Sequence, residues 1–303
     1  MATYNNILVI LEPHVEGQIA LQRAKEILNF SPTTKVTAFI VVYDFSYDLT
    51  QILSINEQNE IKNTIVNAEQ EWIDKQLEDI QNEYPYIERK VIWQRNTEEA
   101  ILKELRTNKY DLILKSPEKH NFIESFIFTP IDWRLLRTTN IPLLFPKDHS
   151  WPEKANILIG LSFENKDSKT QKMLNVLLFR KAQQLAKLIN GKIHLVNATI
   201  PIVPSLILNL PDFSNDLYND KLLAHNKNLL MEFAQNHKIP KEQCHVAIGQ
   251  IDEILPELAY EIDACAVLIG NYARNGISAA IIGNTCEKIL DKMNCDLLVV
   301  KSS

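Results

Sequence analysis

The sequence predicts an α/β protein built as two tandem open, mainly parallel five-stranded sheets with flanking helices. Three observations carry that prediction. A chain of 303 residues suits two domains better than one. Short apolar runs alternate with helix-period stretches along its whole length. The second half also repeats the first. Asn6-Ile-Leu-Val-Ile-Leu11 recurs as Asn156-Ile-Leu-Ile-Gly-Leu161, and Ser116–Lys147 aligns without a gap over Gly270–Lys301. In that register Ile127 meets Ile281, Leu136 meets Leu290, and Leu143 and Leu144 meet Leu297 and Leu298. A repeat this long indicates duplicated domains rather than a solenoid. They are placed at 1–147 and 155–303, joined by the polar, Pro152-containing stretch 148–154.

In the first copy Ile7–Leu11, Val36–Val42, Lys90–Trp93, Leu112–Leu114 and Leu143–Phe145 read as strands covered on both faces. Ala20, Ala24, Ile27 and Leu28 mark the first helix. Ile61, Ile65, Ala68 and Trp72, continued by Ile73, Leu77 and Ile80, mark the second. Ala100, Ile101 and Leu105 mark the third. The second copy repeats the order with strands at Ile157–Leu161, Ile193–Ala198, His245–Ile248, Ala266–Ile269 and Leu297–Val300. Its first helix carries Leu178, Ala182, Leu185, Ala186 and Ile189 and stops at Asn190-Gly191, a left-handed signal. Strands separated by helices imply right-handed crossovers, and ligands of such sheets bind at the carboxyl ends of the strands.

Composition narrows the function. The chain is 46% hydrophobic and 23% charged, with a net charge of −6. An acidic chain has no general attraction for phosphate backbones, so nucleic acid is not expected as a partner. Cys244, Cys265, Cys286 and Cys295 show no C-x-x-C spacing and read as reduced thiols, and the seven histidines show no ligand spacing, so no metal is assigned. The apolar core of MATYNNILVILEPHVEG is too short for a signal peptide, and no stretch is long enough for a membrane span, so a cytoplasmic protein is expected.

One segment carries ligand chemistry. After the strand ending at Gly270 comes a loop with Arg274 and Gly276, then Gly283, Asn284 and Thr285. Glycine lets a phosphate approach the backbone, and free N–H groups at a helix start favour an anion. Neither Walker A nor G-x-G-x-x-G is present. Two readings stand: a retained anion site that includes Arg274, or a loop shaped by its glycines with Asn284 and Glu287 as an N-terminal capping box. A second segment, Ile200–Phe213, is too apolar for an exposed loop and holds three prolines. It is either a packed lid or the wall of an apolar pocket formed by Ile202, Leu206, Leu208, Leu210 and Phe213. The matching part of the first copy, Tyr43–Ile55, is more polar. No catalytic constellation stands out: Asp132 has no evident nucleophile or histidine partner, and no G-x-S-x-G occurs.

The Gly270–Thr285 spacing resembles the universal stress protein family, whose motif is G-x-x-G, nine residues, then G-[S/T]. Val42–Tyr47, Ile127–Pro130, Asp132-Trp133, Leu135–Arg137, Trp151–Glu153, Gly276–Ala280 and Gly283–Thr285 are similar to its tandem two-domain proteobacterial members. The resemblance spans essentially the whole chain. It implies a stress-linked cytoplasmic role without its own reaction, an intramolecular domain pair through Leu143–Phe145 and Leu297–Val300, and a homodimer. ATP-binding members use the motif and an Asp after the first strand. Here Ala273 replaces the second glycine, Asn284 the hydroxyl residue, and Ser162 the Asp; in the first copy Glu12 takes the Asp position. Ser116, Lys119, Thr129 and Pro130 occupy the first copy's motif positions. The expectation is therefore weak ATP binding or none in the first copy. In the second, no cofactor is certain: either weak ATP, or another anionic or amphipathic small molecule with its head against Gly270, Arg274, Gly283 and Asn284. The alternatives are an ATP-hydrolysing enzyme and a structural interaction protein that binds nothing small.

Overall fold

The computed structural model describes residues 4–15, 17–84, 87–119, 126–163, 169–200, 215–271 and 279–301, with the backbone alone at 118–119, 126–127, 215–218 and 279–284. In the first repeat the chain runs β1 (Asn6–Ile10), α1 (Ile19–Phe30), β2 (Lys35–Val42), a 3-10 helix (Phe45–Ile52), α2 (Ile55–Gln81), β3 (Ile87–Trp93), α3 (Thr97–Thr107) and β4 (Leu112–Lys115). It continues through β5 (Glu118–Lys119), β6 (Phe126–Ile127), α4 (Pro130–Thr138) and β7 (Leu143–Phe145). The second repeat runs β8 (Asn156–Gly160), α5 (Lys169–Ile189), β9 (Lys192–Thr199), α6 (Asn215–Asn236), a 3-10 turn (Lys241–Gln243) and β10 (Cys244–Ile248). It ends with α7 (Ile251–Glu261), β11 (Ala264–Asn271), α8 (Ala279–Lys292) and β12 (Asp296–Lys301).

The chain forms two compact units. One comprises Met1–Pro117, Thr129–Leu135 and Leu143–Pro146; the other comprises Glu118–Phe128, Leu136–Pro142 and Lys147–Ser303. In the first unit the strands lie in the order β7-β4-β1-β2-β3, and every pair is parallel. In the second they lie β12-β11-β8-β9-β10, again all parallel. Both orders read fifth-fourth-first-second-third along the repeat, as the internal match requires. The first strand is central and its neighbours are buried, so β1 and β4 are apolar throughout except for Asn6 and Lys115. β3 and β10 border only one strand within their units, and their sequences IERKVIW and CHVAI are the mixed ones, with only Ile87 fully buried.

Local signals explain the helix boundaries. Ser54 and Glu57 form a reciprocal capping box at the start of α2. Asn96 accepts from the Glu99 amide at the start of α3. α5 stops where Asn190 turns left-handed at φ 52°. A Cβ on the next residue, Gly191, would sit 2.7 Å from the Ala155 carbonyl. In α2 the buried stripe is Glu69, Ile73, Leu77 and Ile80, whereas Ala68 is exposed and Ile61, Ile65 and Trp72 are half-buried. The stripe read from sequence thus falls wholly on this helix, with its full burial confined to the later turns. Lys147, assigned from sequence to the first domain, and Trp151 of the joining stretch belong to the second unit and are buried there, with the Lys147 amide donating to Asp296 Oδ1 at 2.9 Å.

Candidate functional site

The carboxyl edge of the first sheet is closed by its own side chains. Lys115 ends β4 almost fully buried, and its Nζ lies 3.0 Å from Glu12 Oε1 and 3.1 Å from Asp132 Oδ1. Burial alone would lower its pKa, but the charges of Asp132 and Glu12 outweigh burial and raise it above the ordinary lysine range. Asp132 is fully buried because it caps α4: its Oδ2 accepts from the Thr129 amide and hydroxyl, both at 2.8 Å. Thr129 and Pro130 are thus the N-cap and first residue of a helix. Lys115 is the partner that the sequence reading missed for Asp132. The signal was legible as a lone charge at the end of the apolar run LILK. Ser116 Oγ accepts from the Ala20 amide at 3.0 Å, so a helix-start N–H that could hold an anion is already satisfied. Gln18 closes the β1–α1 loop by donating to the Glu12 and Val15 carbonyls at 2.8 and 2.9 Å.

Among the described residues, the same edge of the second unit has no such charge cluster. Ser162 and Phe163 follow β8, and with α5 and α6 they line a cavity of about 340 Å³. Its polar wall holds Ser162, Gln171 and Asn175; its apolar wall holds Phe163, Val176, Leu229 and Phe233. Lys172, Glu232, Asn236 and His237 complete the lining. Asn175 fixes the polar wall: its Nδ2 donates to the Ser162 carbonyl at 2.8 Å, and Gln171 Nε2 donates to Ser162 Oγ at 2.6 Å. Beside it, Asn226 donates to Thr199, Thr199 to Asn197, and Asn197 to the Leu161 carbonyl at 2.9 Å. Gln171, Asn175, Asn197 and Asn226 are all buried. The apolar wall is an aromatic stack in which Phe233 lies 5.9 Å from Phe179, 6.4 Å from Phe163 and 4.1 Å from His237. Sequence reasoning missed Gln171, Asn175 and Phe233. Gln171 and Asn175 share the buried face of α5 with Leu178 and Ala182, and polar residues in an apolar stripe were the available signal.

The predicted loop residues fare differently. Gly270 is the seventh residue of β11. A Cβ there would lie 2.6 Å from Leu174 Cδ2 and 2.9 Å from its Cγ. Glycine at 270 is thus explained by the close approach of α5, with no phosphate needed. α8 begins at Ala279, so Gly283, Asn284 and Thr285 sit inside it and not at its start. This overturns the capping box at Asn284. Glu287 instead accepts from the Phe128 amide at 2.9 Å, within the second unit. Ser162 lies on the cavity wall. Arg274 and Gly276, and Ile202, Leu206, Leu208, Leu210 and Phe213, lie outside the described residues.

A second cavity, about 290 Å³, lies at the amino end of β11 and β12, lined among others by His149, Tyr260, Cys265, Lys292 and Cys295. His149 Nε2 meets Asp296 Oδ1 at 3.0 Å, and its Nδ1 meets the Ser150 carbonyl at 3.0 Å. Burial pushes the Cys295 thiol up to about 12, so it stays protonated at neutral pH and supplies no nucleophile. Among the described residues no three His, Cys, Asp or Glu side chains gather to hold a metal, and no helix is long and apolar enough to cross a membrane.

Comparison with known proteins places this arrangement. The model of the universal stress protein family matches residues 3–146 and 175–301. Universal stress protein E of Escherichia coli K12 is 35% identical over 303 residues, which cover 99% of this chain and 95% of that protein. The Haemophilus influenzae homologue of universal stress protein E is 33% identical over 305 residues, covering 99% and 98%. A functionally unknown protein from Pseudomonas aeruginosa PAO1 superposes with a TM-score of 0.73 at 23% identity, covering 99% of this chain and 93% of that one. A universal stress protein from Archaeoglobus fulgidus gives 0.63 at 14% identity, covering 99% and 97%. These two structural likenesses show the fold alone.

Proposed function

The chain belongs to the universal stress protein family, and from that premise we propose that it is a non-catalytic, cytoplasmic ligand-binding protein of the stress response. Its ligand is a small amphipathic molecule held by the second unit, and the first unit binds none. The observation that carries this reading is the contrast between the two sheet edges. Lys115, Glu12 and Asp132 fill one. The other opens into about 340 Å³, within the size range of small-molecule sites. The cavity has amide and hydroxyl groups on one wall and aromatic and aliphatic groups on the other, which suits a molecule with a polar head and an apolar body. Arg274 and Gly276 would bind the head, and Ile202, Leu206, Leu208, Leu210 and Phe213 would extend the apolar wall.

ATP fits this site less well. Gly270 is accounted for by Leu174, and Ser162 is committed to Gln171 and Asn175. ATP hydrolysis needs a positioned base or metal carboxylate beside a phosphate loop. The His149–Asp296 pair lies at the opposite end of the sheet from the β8 edge. Calorimetry with dodecyl phosphate and with Mg-ATP tests the proposal. Micromolar binding of dodecyl phosphate, abolished by Phe233→Asp, is expected, with ATP weaker. Submicromolar ATP affinity, or binding unchanged in Phe233→Asp, would refute it. Binding of neither by a chain that purifies empty would favour a structural interaction protein.

A further inference from the structure

The cavity at the amino end of β11 and β12 collects sulfur. The chain holds four cysteines and four methionines. Three of these residues, Cys265, Met293 and Cys295, line this one cavity of about 290 Å³, and all three are buried. The sheet brings the cysteines together. Ala266 pairs with Asp296 across β11 and β12, so Cys265 and Cys295 stand opposite each other one step earlier. Met293 lies just past the end of α8, two residues before Cys295. The register of β11 against β8 slips between Ala264 and Ala266, which makes Cys265 the extra residue of a β-bulge. Bulges re-aim side chains and recur beside functional sites. Neighbouring strands lie about 4.8 Å apart, wider than the about 3.8 Å between Cβ atoms of a relaxed disulfide. A single atom bridging the two sulfurs suits that spacing better than a direct S–S bond. The surroundings are negative. α7 ends here at Glu261 and α8 at Lys292, and helix carboxyl ends carry partial negative charge. Asp263 lines the cavity, and after burial the charges of Asp296 and Asp263 raise the Cys295 thiol against Lys147. Such a field draws in a cation and repels anions. The cationic side chain of Lys292 is engaged elsewhere, its Nζ donating to the Asp252 carbonyl at 3.2 Å.

We propose that Cys265, Cys295 and Met293 form a binding site for monovalent copper. Thiolate and thioether sulfurs are soft donors, and that ligand set selects Cu(I). Zinc is the poorer occupant. Its structural sites take four ligands, and among the described residues no three His, Cys, Asp or Glu side chains gather. Cu(I) accepts a lower coordination number, which two thiolates and a thioether supply. Binding changes no oxidation state. Copper forms one Cu–S bond to each cysteine, each cysteine gives its S–H proton to water as that bond forms, and Met293 donates a lone pair without losing a proton.

Anaerobic titration of the reduced full chain against the bis(bicinchoninate) complex of Cu(I) tests the proposal. The wild type should withdraw one copper per chain, and X-ray absorption of the product should show a shell of sulfur alone. Cys265→Ser and Cys295→Ser should each weaken binding by on the order of a hundredfold, and Met293→Leu by about tenfold. Met293→Leu keeps the side-chain volume and removes the sulfur, so its melting temperature should stay unchanged and its weaker binding cannot come from misfolding. Cys244→Ser and Phe233→Asp should bind copper as the wild type does, which separates this site from the half-exposed thiol and from the cavity beside β8. A wild type that withdraws no copper, binding indifferent to any of the three sulfur substitutions, a shell containing nitrogen or oxygen, or zinc that displaces copper in equimolar competition would overturn the site.

Discussion

Replacing Lys115 with Met should cost the protein more stability than any surface change. The Lys115 side chain is 3% exposed and that of Asp132 is 0% exposed. Met matches the length of the lysine stem but removes the charge, leaving the Asp132 and Glu12 carboxylates around an apolar group. Asp132 cannot turn to water, because its Oδ2 is held by the Thr129 amide and hydroxyl. Glu12 is 22% exposed on its side chain and can reach solvent, so the cost falls on Asp132. Breaking a buried pair from one side costs about 3–5 kcal/mol. Changing both partners, Lys115→Met with Asp132→Asn, removes the stranded charge and keeps an acceptor for Thr129. Replacing a buried pair by neutral groups is often close to neutral, so the double variant should lose only about 1 kcal/mol. Urea unfolding followed by tryptophan fluorescence, with hydrogen exchange at Leu112–Lys115 to confirm that the first unit is affected, measures both. A single variant that loses less than about 1 kcal/mol, or a double variant no better than the single one, would show that the Lys115 cluster is not a compensated buried pair.

Other changes have equally definite outcomes. Gly270→Ala forces a Cβ to within 2.6 Å of Leu174 and should destabilise the chain by about 1–3 kcal/mol. Leu174→Ala should remove most of that added penalty when the two are combined in a double-mutant cycle, and full additivity would contradict the packing explanation for this glycine. His194 and His245 meet at 3.1 Å between Nδ1 and Nε2. Burial first, then His245 and Lys192, lower the His194 pKa; burial lowers that of His245 against the opposing charge of Glu261. A folded pKa below the unfolded value of roughly 6.5 means that the unfolded chain takes up protons first. Stability should therefore be level above that pH and fall as pH drops below it, and His245→Gln should flatten the melting-temperature profile there. Burial holds the Cys286 and Cys295 thiols at about 12, and Cys265 is buried too. Burial and then Glu242 raise the Cys244 thiol too, but it is half-exposed, so it should be the first thiol to react with Ellman's reagent in the native chain, and a faster buried thiol would contradict the burial.

The fold was legible because its signals are local and repeated. Apolar runs at Ile7–Leu11 and Ile157–Leu161 fall on central strands, and the mixed runs IERKVIW and CHVAI fall where neighbours cover one side only. The site was less legible because its causes are not local. Gly270 reads as a phosphate-loop glycine within its own segment, yet the side chain that requires it, Leu174, lies in another element. Asn284 and Glu287 have capping-box spacing, but α8 starts earlier, at Ala279, and Glu287 is taken by the Phe128 amide. Lys115, Glu12 and Asp132 are far apart in sequence and meet only because β1 and β4 are adjacent and α4 starts over their ends. The helical period at Ile61, Ile65, Ala68 and Trp72 does fall on α2, but its burial was not legible, because the early turns of that helix are less buried than its end.

The central claim, that the second unit holds an amphipathic small molecule and the first holds none, is tested most directly by native mass spectrometry of the purified full chain, followed by denaturing release. The account predicts one bound molecule per chain with a polar head and an apolar body, lost in Phe233→Asp and in Leu208→Asp but retained in Lys115→Met/Asp132→Asn. Retention in both aspartate variants, or loss only when the Lys115 cluster is altered, would place the ligand elsewhere and contradict the claim.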